Sequence, residues 1–112
     1  MAIPEGWTDD MNIPLPPGRT VEKVVDYVIQ AALRGTPNET TEHLLAAEFL
    51  LSPEDAALAR DRTCGGIVRA ATRNPENCPR REKDPMAWES FQRATRDPSI
   101  VARIYPQYAA KQ

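Results

Sequence analysis

Residues 64–81 read CGGIVRAATRNPENCPRR, and the fold turns on whether a helix passes through the two glycines or stops at them. A helix that begins at Pro53 and runs through Gly65 and Gly66 to Arg73 advances about 100° per residue. On that spacing Ala57, Cys64, Ile67, Val68 and Ala71 gather on one side. Arg62, Arg69 and Arg73 line the other, with Gly66 between them, a basic stripe with a bare backbone patch suited to phosphate or carboxylate groups. If Gly65 instead ends the helix, Pro53–Thr63 and Ile67–Arg73 become the arms of a helix-turn-helix whose second arm would read DNA. The small residue expected four positions before the turn glycine is missing, since Asp61 or Arg62 stands there, and Asn74-Pro75 leaves the second arm short. The favoured reading is a helix end with an exposed arginine face. A polar loop follows, NPENCPRREKD (74–84), where Arg80, Arg81 and Lys83 make the most basic surface.

Outward from this stretch, helix signals repeat. Thr20 is placed to cap a helix with apolar positions at Val21, Val24, Val25, Val28, Ile29, Ala32 and Leu33, the rhythm of one buried face, and Gly35 is a suitable stop. TPNE at 36–39 reads as a capping box, with Thr36 as cap, Pro37 at the first helical position and Glu39 at the third, and predicts a helix to about Leu51. Ser52-Pro53, Asp84-Pro85 and Asp97-Pro98 repeat the pairing of cap and proline. No segment alternates with a period of two, and the equal spacing of the first three caps is not matched by the side chains that follow them. The expected fold is all-α, a small bundle of about five short helices in residues 20–112, forming a single helical domain.

Residues 1–19 differ in composition. Four prolines and two glycines make them an extended, Pro-rich arm, which Trp7, Ile13 and Leu15 would tack onto the domain. PLPPGR, 14–19, also has the spacing of ligands for aromatic-lined proline-binding grooves, although an arm packed on its own domain is preferred.

The net charge of −2 hides an asymmetry. Residues 1–59 carry ten acidic and three basic side chains, residues 60–112 six acidic and eleven basic. Such a split points to an anionic partner for the basic half, or to complementarity of the two halves within one fold. The second is favoured, because nucleic-acid-binding domains are usually basic overall and this chain has a pI near 5.4. The longest apolar run, Leu44–Leu51, is interrupted by Glu48 and far too short to span a bilayer, so no membrane partner is expected. Met1–Gly6 lacks the basic and apolar regions of an export signal, which favours a cytoplasmic setting where Cys64 and Cys78 stay reduced. Cys64, on the apolar side of its helix, should be the less reactive thiol, and Cys78, beside Arg80 and Arg81, the more reactive.

Catalytic signals are sparse. His43 has Glu39 one turn before it, but no nucleophile or glycine-rich oxyanion loop accompanies the pair. Cys64, Cys78 and His43 fall short of the four ligands of a structural zinc site, so no metal and no cofactor are expected. Trp88 and Phe91 share a helix face, Glu89 and Arg93 are spaced to pair, and Tyr105–Tyr108 is either core or a short docking tail. The chain therefore reads as a non-catalytic protein–protein interaction or adaptor module, acting on another protein or on itself. The alternative is a nucleic-acid-binding protein using Arg62, Arg69, Arg73, Arg80, Arg81 and Lys83.

Overall fold

The computed structural model describes residue 15, residues 17–72, residue 76 and residues 78–109. Those residues are all-α: α1 (Val21–Leu33), α2 (Asn38–Phe49), α3 (Pro53–Ala71), α4 (Pro85–Arg96), α5 (Ser99–Ile104) and α6 (Pro106–Ala109). The last is a single turn, so five helices of the expected kind are joined by one further turn in the Tyr105–Tyr108 segment. Of the arm, Leu15 packs against the core, while Trp7 lies outside the described residues.

Local chemistry sets most of the helix ends. The Thr20 hydroxyl accepts from Lys23 N at 3.2 Å, Ser52 Oγ from Asp55 N at 3.1 Å, and Asp84 Oδ1 from Ala87 N at 3.4 Å. Each satisfies one of the amides a helix start leaves without a partner. Gly35, at φ +76, closes α1 with paired bonds from its own N to Ala32 O and from Thr36 N to Ala31 O, an arrangement that needs a left-handed residue. That closure corrects the capping-box reading. Thr36 is drawn into the end of α1, and α2 starts one residue later, after Pro37, with no side-chain cap. At the last junction Asp97 Oδ1 accepts from both Ser99 N and Ser99 Oγ, at 3.2 and 2.6 Å, but Pro98 rather than Asp97 is the residue before α5, so the carboxylate bonds across the preceding turn and does not take the expected cap position.

One core runs through these elements. It gathers Val24, Val25, Val28 and Ile29 from α1, Leu45 and Phe49 from α2, Ile67 from α3, Met86 from α4, and Ile100 and Val101 from α5. Tyr27 meets Phe49 edge to face, with ring centroids 5.7 Å apart. Arg93 ties α4 to α1, donating to Asp26 Oδ1 and Glu89 Oε2 at 2.9 Å each and to the Glu22 carbonyl at 3.1 Å.

The glycine pair does not break α3, which runs uninterrupted for 19 residues, about 28 Å. Gly66 is not part of an exposed patch between arginines. It is buried in the contact between α3 and α4, where an added β-carbon would collide with Ser90 Oγ and the Ala87 carbonyl oxygen. The residues around it are small: Ala59 and Thr63 on α3, Ala87, Ser90 and Ala94 on α4, all buried. Thr63 and Ser90, although fully enclosed, donate to Ala59 O at 2.8 Å and Ala87 O at 3.1 Å in their own helices. The contact therefore carries no cost of unmet hydroxyls. Gly65, one residue earlier, has nothing within 4 Å of where its β-carbon would stand.

The two neighbouring glycines should respond to alanine with opposite signs. Gly65→Ala gains helix propensity and is expected to raise stability by about 0.5–1 kcal/mol. Gly66→Ala overfills the α3–α4 contact and is expected to lower it by about 1–3 kcal/mol despite the same propensity gain. Urea denaturation of both variants beside the parent chain checks this.

Candidate functional site

Of the basic residues singled out in the sequence, Arg62 and Arg69 lie two turns apart on one side of the unbroken α3. Arg62 is half-buried and Arg69 exposed, and both bear electrostatically on the buried Asp84 carboxylate at the start of α4. Arg81 lies over the Trp88 ring, its guanidinium carbon 5.0 Å from the centroid. Arg80 is exposed, and its carbonyl accepts from Lys83 N and Asp84 N, shaping the turn before α4. Lys83 is half-buried. Arg73 lies outside the described residues.

The charge split between the halves is partly met inside the fold. Of the ion pairs among the described residues, Arg60–Glu42 and Arg93–Asp26 each join the basic half to the acidic half. Two open grooves carry the same mixed character. One, of about 480 Å³, has Tyr27 and Phe49 between Arg19, Lys23 and Arg93 on one hand and Asp26 and Glu48 on the other. The second, of about 320 Å³, sets Trp88, Val21 and Pro85 among Glu22, Glu82, Glu89 and Arg81. Neither collects charge of a single sign.

His43 is exposed on α2, and its neighbour Glu42 is engaged by Arg60 across to α3. Cys64 and Cys78 are both free of a disulfide and half-buried. The Cys64 thiol is hydrogen-bonded to Tyr105 and lies beside Arg60; burial first, and then that thiol, hold the Tyr105 hydroxyl above the ordinary tyrosine range. Cys78 Sγ donates to Pro79 O at 3.5 Å, and Gln92 Nε2 lies 3.9 Å from the sulfur. Among the described residues no three His, Cys, Asp or Glu side chains come together as metal ligands, and no helix is long and apolar enough to cross a membrane.

The surface feature that the fold leaves over is the outer side of α2. Thr41, Leu45 and Phe49 are buried against the core, yet Leu44, Ala47 and Leu50, spaced by three, face outward. Leu44 is 43% and Leu50 74% exposed, the large apolar side chains that stand out from the surface. Leu50 is also the non-glycine residue with positive φ, at 55°. It ends α2 in the left-handed conformation that glycine or asparagine usually supplies, its N–H reaching Ala46 O. Sequence reasoning placed Leu44–Leu51 in an apolar run without separating its two sides. The residue numbers alone did allow the separation, because 41, 45 and 49 fall opposite 44, 47 and 50 on a helix.

Compared with known proteins, the chain matches no family model, no curated protein and no solved structure.

The Asp84 environment gives a pH signature. Burial raises its pKa above 3.8, outweighing the Ala87 amide and the Arg62 and Arg69 charges, which lower it. A folded-state pKa above the unfolded value means that the native state holds the proton more tightly. The stabilisation is complete below 3.8 and is lost as pH rises through the folded value. Asp84→Asn keeps an oxygen for the cap but has nothing to ionise. The stability of the Asn variant relative to the parent should thus improve from pH 3.5 to pH 7 (both pH values approximate, chosen to bracket the titration), as chemical denaturation at the two ends will read.

Proposed function

We propose that the chain is a small non-catalytic protein–protein interaction module that docks its partner through the outer face of α2. Leu50 carries this reading. A leucine there incurs two costs in the isolated fold: a left-handed backbone that disfavours any residue with a β-carbon, by roughly 1–2 kcal/mol, and a large apolar side chain left in water. Neither cost is offset by packing among the described residues. We read a strained, exposed apolar residue of this kind as one retained for binding. Leu44 and Ala47 extend the same surface along the helix.

The non-catalytic part of the reading is supported by His43 and Glu39, which stand exposed on α2 and line neither groove. The cysteines, free of a disulfide, are compatible with a reducing, cytoplasmic setting. The nucleic-acid alternative loses force where Arg81 lies over the Trp88 ring, since that arginine is already partly committed within the fold.

A leucine retained for binding at the expense of stability predicts a trade-off. Leu50→Gly should raise the unfolding free energy by about 0.5–1 kcal/mol. A photo-crosslinking residue placed at position 44 or 47 in the native host should yield a discrete adduct, of another protein or of a second copy, that Leu50→Gly diminishes. The same probe at the exposed positions 95 and 103, on α4 and α5, serves as control. Equal adducts from all four sites, or none from 44 and 47, would refute the reading.

A further inference from the structure

We infer that the α2 face takes an amphipathic helix of another protein whose apolar anchors are flanked by lysine and arginine, an inference that rests on the docking role of α2. Residues 38–55, the whole of α2 and the first turn of α3, contain five carboxylates and no lysine or arginine. Glu42 is matched by Arg60, but Glu39, Glu48 and Glu54 are exposed. On the helix, Glu39 and Glu48 fall on opposite margins of the stripe formed by Leu44, Ala47 and Leu50. Glu54 follows Leu50 closely, beyond the turn at Leu51–Ser52. Arg19, over the Phe49 ring at 5.9 Å, approaches this edge, and Lys23 and Arg93 line the same groove as Glu48 on the side away from the stripe.

Shape argues for a helix as occupant. Leu44 and Leu50 stand on either side of the smaller Ala47 along α2, and a side-chain row of that kind is what a second helix packs against. Charge argues against the nearer occupants. A second copy, docked α2 to α2, would bring carboxylate margins together, and like charges across an interface oppose association. The chain's own arm carries Glu5, Asp9 and Asp10 and no basic residue before Arg19. A segment with leucine-like anchors every three or four residues and basic margins meets the stripe and its carboxylates at once.

The test uses the full chain and two synthetic amphipathic helical peptides that share the same leucine anchors, one with Lys/Arg margins and one with Glu margins, titrated by fluorescence anisotropy. The basic peptide should bind, and do so about tenfold more tightly at low than at physiological ionic strength. Leu50→Gly should weaken it about tenfold, as loss of one apolar anchor does. Glu39→Lys, Glu48→Lys and Glu54→Lys combined should reverse the preference in favour of the acidic peptide. Equal binding of both peptides, with loss on Leu50→Gly, overturns the charge assignment while the docking face stands. Binding that ignores Leu50→Gly overturns the docking face itself, and absence of binding by the basic peptide overturns the inference.

Discussion

At position 66 the backbone of α3 lies against Ala87 and Ser90 of α4 with no space for a side chain, and the placement of the other helices follows from that seat. Because α3 and α4 meet through small residues, their outer neighbours Ile67 and Met86 are drawn into the core shared with α1. Helix interiors normally disfavour glycine by about 1 kcal/mol relative to alanine. Gly66 offsets this by admitting a close backbone approach, as glycine does where chains must nearly touch. Thr63 and Ser90, fully buried beside it, turn their hydroxyls back onto carbonyls of their own helices, so the seat is polar in composition but satisfied in hydrogen bonding.

Electrostatics then works mostly inward. The sequence divides into an acidic and a basic half, yet Arg60 and Arg93 cross that division to reach Glu42 and Asp26. Pairs as exposed as Arg93–Asp26 contribute little individually. Their value is in orientation, since Arg93 also holds the Glu22 carbonyl and so fixes the start of α1 against α4. The acidic surplus left on α2 and at the start of α3 lies beside the leucines that the core does not use. Surplus charge and surplus apolar surface coincide there.

Helix class and most boundaries were legible because they are local: Thr20, Ser52 and Asp84 each act on an amide three residues ahead, and Gly35 on the turn just closed. The buried face of α1 was legible too, since valines and isoleucine mark it unmistakably. The face of α3 was not. Of the side that hydrophobicity selected, Ile67 and Ala71 are buried but Ala57, Cys64 and Val68 are only half-buried, whereas Ala59, Thr63 and Gly66, which it passed over, are buried toward α4. No single-residue scale makes threonine and glycine core residues; only the partner helix does. The left-handed Leu50 was equally hidden, because nothing in the residue type announces a conformation that leucine avoids.

The measurement that bears most directly on the α3–α4 seat is a nuclear Overhauser spectrum of the chain in solution, together with amide exchange through residues 64–70. An unbroken helix seated on α4 predicts cross-peaks from the Gly66 α-protons to the β-protons of Ala87 and Ser90, with slowly exchanging amides at Gly65 and Gly66. Rapid exchange at both glycines with no cross-peak to α4 would mean that the helix breaks there, and the account of the fold given above would be wrong.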